Sequence, residues 1–352
     1  MSEPRTSAGP REPTPLRHRV LLKRFQNVLG PVIGLGMTAI LLARLHANQV
    51  WMAFLEIGWS MLALLLLHQI TVATDSVGWQ ALLDKLGAGI RYRDTLWIAS
   101  IRNAVQTTIP VSASGLIAGM RLLKLHGVGT SSGLASLIVE GTVATATELL
   151  FIVVSLGCFL SFTFHPGGAA DLLPLWIIVS LLTITLVVML WAQISGRVFE
   201  VMSQGMKRVL TQPRYEHWSR GPLNLKAGLR DLYTPSPALL SALFWQAVSL
   251  VCGASGIWYI LILLHRPVSF IFALLLQGLG RATRSYGFLV PSGWGLQEGV
   301  FVLLAPLSGL TPTLGLALSL ITRLRDLLFA LPFLVSWHWQ RPPSGPVKSL
   351  PG

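Results

Sequence analysis

RSYGFLVPSGWGLQEG, residues Arg284 to Gly299, sets an arginine, a glutamate, a proline and four glycines inside an otherwise apolar region. Proline removes a backbone donor and glycine admits unusual dihedrals, so the stretch breaks a helix. Broken backbone at membrane depth must be buried in protein or line a wet cavity, because unpaired amides and carbonyls are costly in lipid. The fold turns on whether this break lies within a membrane.

The chain has 352 residues, 52% of them hydrophobic and only 12% charged, with a mean hydropathy of +0.62. A soluble domain carries roughly 25% charged residues. The composition is that of a membrane protein. The formal charge is +13, but its basic residues cluster at the ends of apolar runs without a nucleic-acid recognition motif, so topology explains them and no nucleic-acid partner is expected.

A lipid-crossing helix needs about 20 mostly apolar residues. Such runs occur at about 27–45, 51–73, 134–162, 172–194, 239–264 and 313–338, with two interrupted regions at about 95–120 and 268–309. The expected fold is an all-α polytopic membrane protein with six full spans and two re-entrant, broken helical hairpins. Residues 1–26 form a basic arm, and the first apolar run reads as a retained signal anchor. Residues 339–352 form a tail.

Charge asymmetry orients the spans. Arg5, Arg11, Arg17, Arg19, Lys23 and Arg24 precede the first span, and the loop 196–238 carries seven more basic residues, so both are expected in the cytoplasm. GRVFEVMSQGMKRVL, at the start of that loop, has the pattern of an interfacial amphipathic helix. The loops at 45–49 and 165–171 lack Lys and Arg and belong outside. Arg91 and Arg93 are cytoplasmic on this count, so 95–120 must return to the side it entered from. Residues 268–309 must likewise enter from and return to the outside. Both termini are then cytoplasmic.

RNAVQTTIPVSASGL, residues 102–116, and RSYGFLVPSGWGL, residues 284–296, share an order of Arg, apolar residues, Pro, small residues and Gly-Leu. The two copies fall in hairpins of opposite direction, which is the arrangement of inverted-topology repeats. The repeats would be 27–162 and 172–338. Candidate breaks are Pro110 and Gly115 in the first hairpin and Pro291, Gly293 and Gly295 in the second. Proline kinks in ordinary spans are the alternative.

Arg102, Glu140, Glu148, Arg281, Arg284, Glu298, Arg323, Arg325 and Asp326 all fall in apolar segments, where an unpaired charge costs about 3 kcal/mol or more. Arg102, Arg281, Arg284, Glu298 and Arg323 are the candidate headgroup-binding residues, with Glu140, Glu148 and Asp326 as orienting or counter-charged groups. Arg323 and Asp326 are spaced to form a local pair. Arg325 is spaced to snorkel or pack locally. A set of structural ion pairs is the alternative for each of these residues.

Other chemistry has no foothold. The sequence contains neither HExxH nor paired-His spacing, no Walker loop and no G-x-S-x-G elbow. No metal site and no cofactor are expected. Cys158 and Cys252 lie in apolar segments and make no disulfide framework. His68 and the other scattered histidines read as interface residues, and tryptophans such as Trp51, Trp176, Trp258, Trp337 and Trp339 as interfacial anchors.

The carboxyl-terminal stretch from Val290 to Trp337 contains Pro-x-Gly-x-Gly-x-x-Glu-Gly at 291–299, a Gly-Leu-x-Pro turn at 309–312, and Ala-Leu-Ser-Leu leading to Arg-x-Arg-Asp at 317–326. It resembles the lysylphosphatidylglycerol synthase transmembrane-region superfamily, which includes the flippase half of the multiple-peptide-resistance factor, and is most similar to its hopanoid-biosynthesis-associated L type. In the first hairpin that family often has Gly-Gly-Glu before the arginine, whereas this chain reads SASGLIAGMRLL with Leu116 near the acidic position. The resemblance implies a bacterial inner-membrane protein of hopanoid or lipid handling. Its implied partners are membrane lipids, hopanoids or anionic phospholipids among them, and hopanoid biosynthesis enzymes.

Two further readings differ in class from lipid translocation or lipid binding. One is an intramembrane transferase using Glu298 or Glu140 as general base. The other is a scaffold for hopanoid enzymes.

Overall fold

The computed structural model describes residues 36, 40, 43, 47–109, 114–163, 180, 183, 184, 187, 221–285 and 295–338. The regular elements among them are all helical. Helix α1, Ala47–Ile57, passes through a short 3-10 turn at Gly58–Ser60 into α2, Met61–Lys85. Then come α3, Tyr92–Thr108, α4, Ser114–Leu125, and the long α5, Thr130–Thr163. After α6, Gly221–Tyr233, the chain forms α7, Pro237–Leu263, α8, Phe270–Ser285, and α9, Leu296–Leu304; α10, Pro312–His338, follows a second 3-10 turn.

Three of the described segments are long and apolar enough to cross a membrane, namely Asn48–Lys85, Thr130–Phe159 and Pro237–Leu263. Helix α10 spans 27 residues but carries Arg323, Arg325 and Asp326 within its length. The expected spans 27–45 and 172–194 lie largely outside the described residues, as does the expected interfacial helix after 196. The span expected at 51–73 is longer than its apolar run. Asp75 does not end it, because Arg281 faces that carboxylate from α8. The helix stops only beyond Lys85, where Gly87 adopts φ 65° and Ala88 N–H returns to Leu83 O.

Helices α2 and α7 form the antiparallel spine. Glu56 meets His265, Ser249 donates to the Thr71 carbonyl, Gly78 lies against Ala242, and Lys85 meets Ser236. A Cβ on Gly78 would come within 3.1 Å of the Ala242 Cα, which shows how closely the two backbones approach. The spine defines two ends of the bundle, one marked by Lys85 and the other by Glu56.

The short helices divide between those ends. Helix α3 starts near the Lys85 end, and α4 runs back along it: Gly115 packs on the Arg102 carbonyl and Gln106, and Gly119 on the Arg102 side chain. Leu122 and Leu123 join Leu83 and Ile90 in one apolar cluster, so the pair closes where it began. The second pair, α8 and α9, starts and finishes near Glu56, because Leu264, Arg266, Gly309 and Leu310 line a cavity together with Glu56. Each of these four helices has fewer than the roughly 20 residues a full crossing requires.

Part of the expected loop 196–238 is helical. Helix α6 buries Leu225 and Leu232 against Val139 and Val143 of α5, and the Tyr233 hydroxyl donates to Thr142 Oγ1 at 3.0 Å. Lys85 Nζ donates to the Asp231 carbonyl at 2.6 Å and to Ser236 Oγ at 3.1 Å, fastening α2 to the α6–α7 junction.

Candidate functional site

Helix α5 carries Glu140 and Glu148 about two turns apart, and each receives an arginine from a different helix pair. Arg102 of α3 donates through Nη2 to Glu140, while its guanidinium lies 4.7 Å from the ring centre of Trp79 on α2. The Trp79 indole N–H is itself held by Ser136 Oγ at 3.2 Å. The second Arg102 amino nitrogen, Nη1, is buried without a hydrogen-bond partner among the described residues.

Arg281 of α8 donates through Nε to Glu148 at 3.2 Å and through Nη1 to Ser249 of α7 at 3.1 Å. Its Nη2 lies 3.9 Å from the Asp75 carboxylate of α2. Gln246 bridges the last two groups: with its amide nitrogen on Asp75, its oxygen accepts from Arg281 Nη2 at 2.9 Å. Asp75 also lies close enough to Arg102 and Glu140 for their charges to act on it. One polar network therefore joins α2, α3, α5, α7 and α8, with an arginine from each short-helix pair. Buried charges persist when paired and hydrogen-bonded, and this network supplies both.

A second group locks α9 to α10. Glu298 is fully buried and receives Arg323 through Nε and, at 3.3 Å, through Nη2. The same carboxylate reaches back to the Gly295 N–H at 2.8 Å. Gly295 has φ 80°, a left-handed conformation that glycine adopts without a Cβ penalty, and it starts α9. Gln297 Nε2 binds Ser319 at 3.2 Å and Thr322 at 3.1 Å, adding polar ties across the same interface.

A family model described as the lysylphosphatidylglycerol synthase TM region matches residues 27–333. The chain belongs to that family. It is thereby a multi-pass membrane protein of lipid handling. No curated protein and no solved structure matches the chain.

In this lysylphosphatidylglycerol synthase transmembrane region, the charged candidates named from sequence fall into distinct groups. Arg102, Glu140, Glu148 and Arg281 share the central network, whereas Glu298 and Arg323 bind one another. Asp326, spaced for a local pair with Arg323, accepts from Arg325 Nε at 2.9 Å and Nη2 at 2.7 Å and lies 3.6 Å from His68. The planar Arg323 fork finds a two-point partner in Glu298. Arg325 does not snorkel. It is buried at 3% exposure, because Asp326 compensates its charge. His68 is likewise buried, edge-on to Phe329 at 4.5 Å, and is not an interface residue.

Gly115 lies within the first turn of α4 and packs closely there, and Gly295 immediately precedes the first turn of α9. Pro110, Pro291 and Gly293 lie outside the described residues, as does the side chain of Arg284. Trp51 and Trp258 are exposed, as anchors would be, whereas Trp79 is buried beneath Arg102. Trp176 and Trp339 fall outside the described residues. Sequence reasoning missed Asp75, Gln246, Ser249 and Gln297. Asp75 lies just past the expected apolar run 51–73 and reads there as its end. The polar partners carried no spacing signal.

Proposed function

We propose that this family member moves lipid across a bacterial inner membrane, with headgroups travelling through the polar interior while the acyl tails stay in lipid. The observation that supports this reading is the convergence of Arg102 and Arg281, one from each short-helix pair, on Glu140 and Glu148 of the same helix. The two pairs are re-entrant hairpins of an inverted repeat, entering from opposite faces, and the termini are cytoplasmic. Rocking the halves about α5 would exchange Glu140 and Glu148 between arginine and headgroup contacts, alternating access. Arg102, Arg281, Arg284, Glu298 and Arg323 belong to the polar path, with Glu140, Glu148 and Asp326 balancing it. Hopanoids and anionic phospholipids are the proposed cargo, and hopanoid biosynthesis enzymes the proposed protein partners.

Translocation is preferred to the transferase reading because Glu298 is engaged by Arg323 and by the Gly295 amide. A carboxylate held this way is poorly placed to take a proton from a lipid acceptor. The decisive experiment reconstitutes the protein in vesicles and follows hopanoid and anionic lipid movement between leaflets. Movement above that of protein-free vesicles is expected. Its absence over several lipid compositions, with the protein folded, would overturn the proposal. Mass spectrometry of lipids from a deletion strain separates the alternatives, since loss of a chemical species marks an enzyme and altered leaflet distribution marks transport.

A further inference from the structure

At the Glu56 end of the bundle lies a cavity of about 520 Å³ between α1, the α7–α8 junction and the start of α10. That volume is within the range of small-ligand sites. Its polar lining comes from Asn48, Gln49, Glu56, Arg266, Thr311 and Thr313, and the remaining wall is largely apolar. Arg266 differs from the inner arginines. Arg102, Arg281, Arg323 and Arg325 each hold a carboxylate, whereas Arg266 makes no ion pair among the described residues.

Two further features sharpen the electrostatics. Thr313 and Leu314, in the first turn of α10, also face the cavity, and the positive end of this helix dipole adds to the Arg266 charge. Across the same space stands Glu56, half exposed and 3.0 Å from His265 Nδ1. His265 has φ 53°, a strained conformation for a non-glycine residue. It lies between Leu264 and Arg266, both of which line the cavity.

We infer that this cavity binds a zwitterion that carries a phosphate and an ammonium group, as a phosphoethanolamine headgroup does. The phosphate sits between Arg266 and the start of α10, and the ammonium faces Glu56 and the side-chain amides of Asn48 and Gln49. A phosphate without an amine satisfies only half of this lining and leaves Glu56 facing an anion. The site lies away from the central arginine network. It rests on the proposed function only for its lipid source, and binding is measured separately from movement between leaflets.

The test uses the full chain in nanodiscs of phosphatidylethanolamine and phosphatidylglycerol in equal amounts, followed by native mass spectrometry of retained lipid. The wild type is expected to retain phosphatidylethanolamine roughly tenfold over phosphatidylglycerol, the size of one charge-assisted contact. Arg266→Gln should lose both lipids, and Glu56→Gln should erase only the preference. Both side chains are solvent-accessible in the cavity, so the variants should fold; Arg266→Lys, which keeps the charge, should restore part of the retention. Binding of soluble phosphoethanolamine without retained lipid would support the same chemistry and assign it to a free solute. Equal retention of both lipids in the wild type and all variants would overturn the inference, even if leaflet movement is observed.

Discussion

Arg281 and Glu148, 133 positions apart in sequence, meet at 3.2 Å and tie α8 to the middle of α5. The contact is one branch of a fork, because the same guanidinium holds Ser249 and faces Asp75. Removing one partner takes the nearest counter-charge from the other in a largely apolar interior. Arg281→Gln and Glu148→Gln are each expected to cost about 3–5 kcal/mol. The double variant should cost less than the two together, which thermal unfolding in detergent can resolve as a coupling energy.

Asp75→Asn should be milder than Glu148→Gln. The Asp75 side chain is 24% exposed against 4% for Glu148, and its distance to Arg281 is longer. An asparagine oxygen can still accept from Gln246. A loss below about 1.5 kcal/mol is expected, typical of one ordinary hydrogen bond. A larger loss than for Glu148→Gln would place the electrostatic centre of the network at Asp75 instead.

Arg323→Lys is not conservative here. The guanidinium fork meets Glu298 at two points, whereas an ammonium presents a single charge centre. The expected cost is on the order of 2 kcal/mol, read from the unfolding midpoint. Glu298→Gln should also destabilise, since it removes the counter-charge of Arg323. If Arg323→Lys is neutral, the lock between α9 and α10 lies elsewhere.

Trp79→Phe keeps an aromatic face for Arg102 but removes the hydrogen bond to Ser136 and part of the buried area. A cost of about 1–3 kcal/mol is expected. Trp79→Leu should cost more, because the cation–π contact is lost as well. Equal effects would mean that the stacking adds nothing beyond packing.

The membrane class and the two interrupted regions were legible because composition and proline-glycine breaks act locally. Thus 95–120 corresponds to α3 and α4, and 268–309 to α8, α9 and the turn that follows. Local spacing pointed from Arg323 to Asp326 at position i+3 and carried no sign of Glu298, 25 residues away, which meets the guanidinium at two points. The extent of α2 was missed because Asp75 reads as the end of an apolar run. Its compensation comes from Arg281, which only the tertiary fold brings near. Arg266 drew no notice from sequence, since a basic residue at a span end is ordinary. Its place on a cavity wall opposite Glu56 depends on how α1, α7 and α10 converge.

Cysteine accessibility tests the opposed entry of the two helix pairs. With Cys158 and Cys252 replaced by alanine, Lys124→Cys and Thr311→Cys are labelled in cells by a membrane-impermeant maleimide. Both native positions are exposed, at opposite ends of the bundle. Thr311→Cys should react from outside in intact cells, and Lys124→Cys only after the membrane is opened. Labelling of both positions from the same side would contradict the architecture on which the proposed transport path depends.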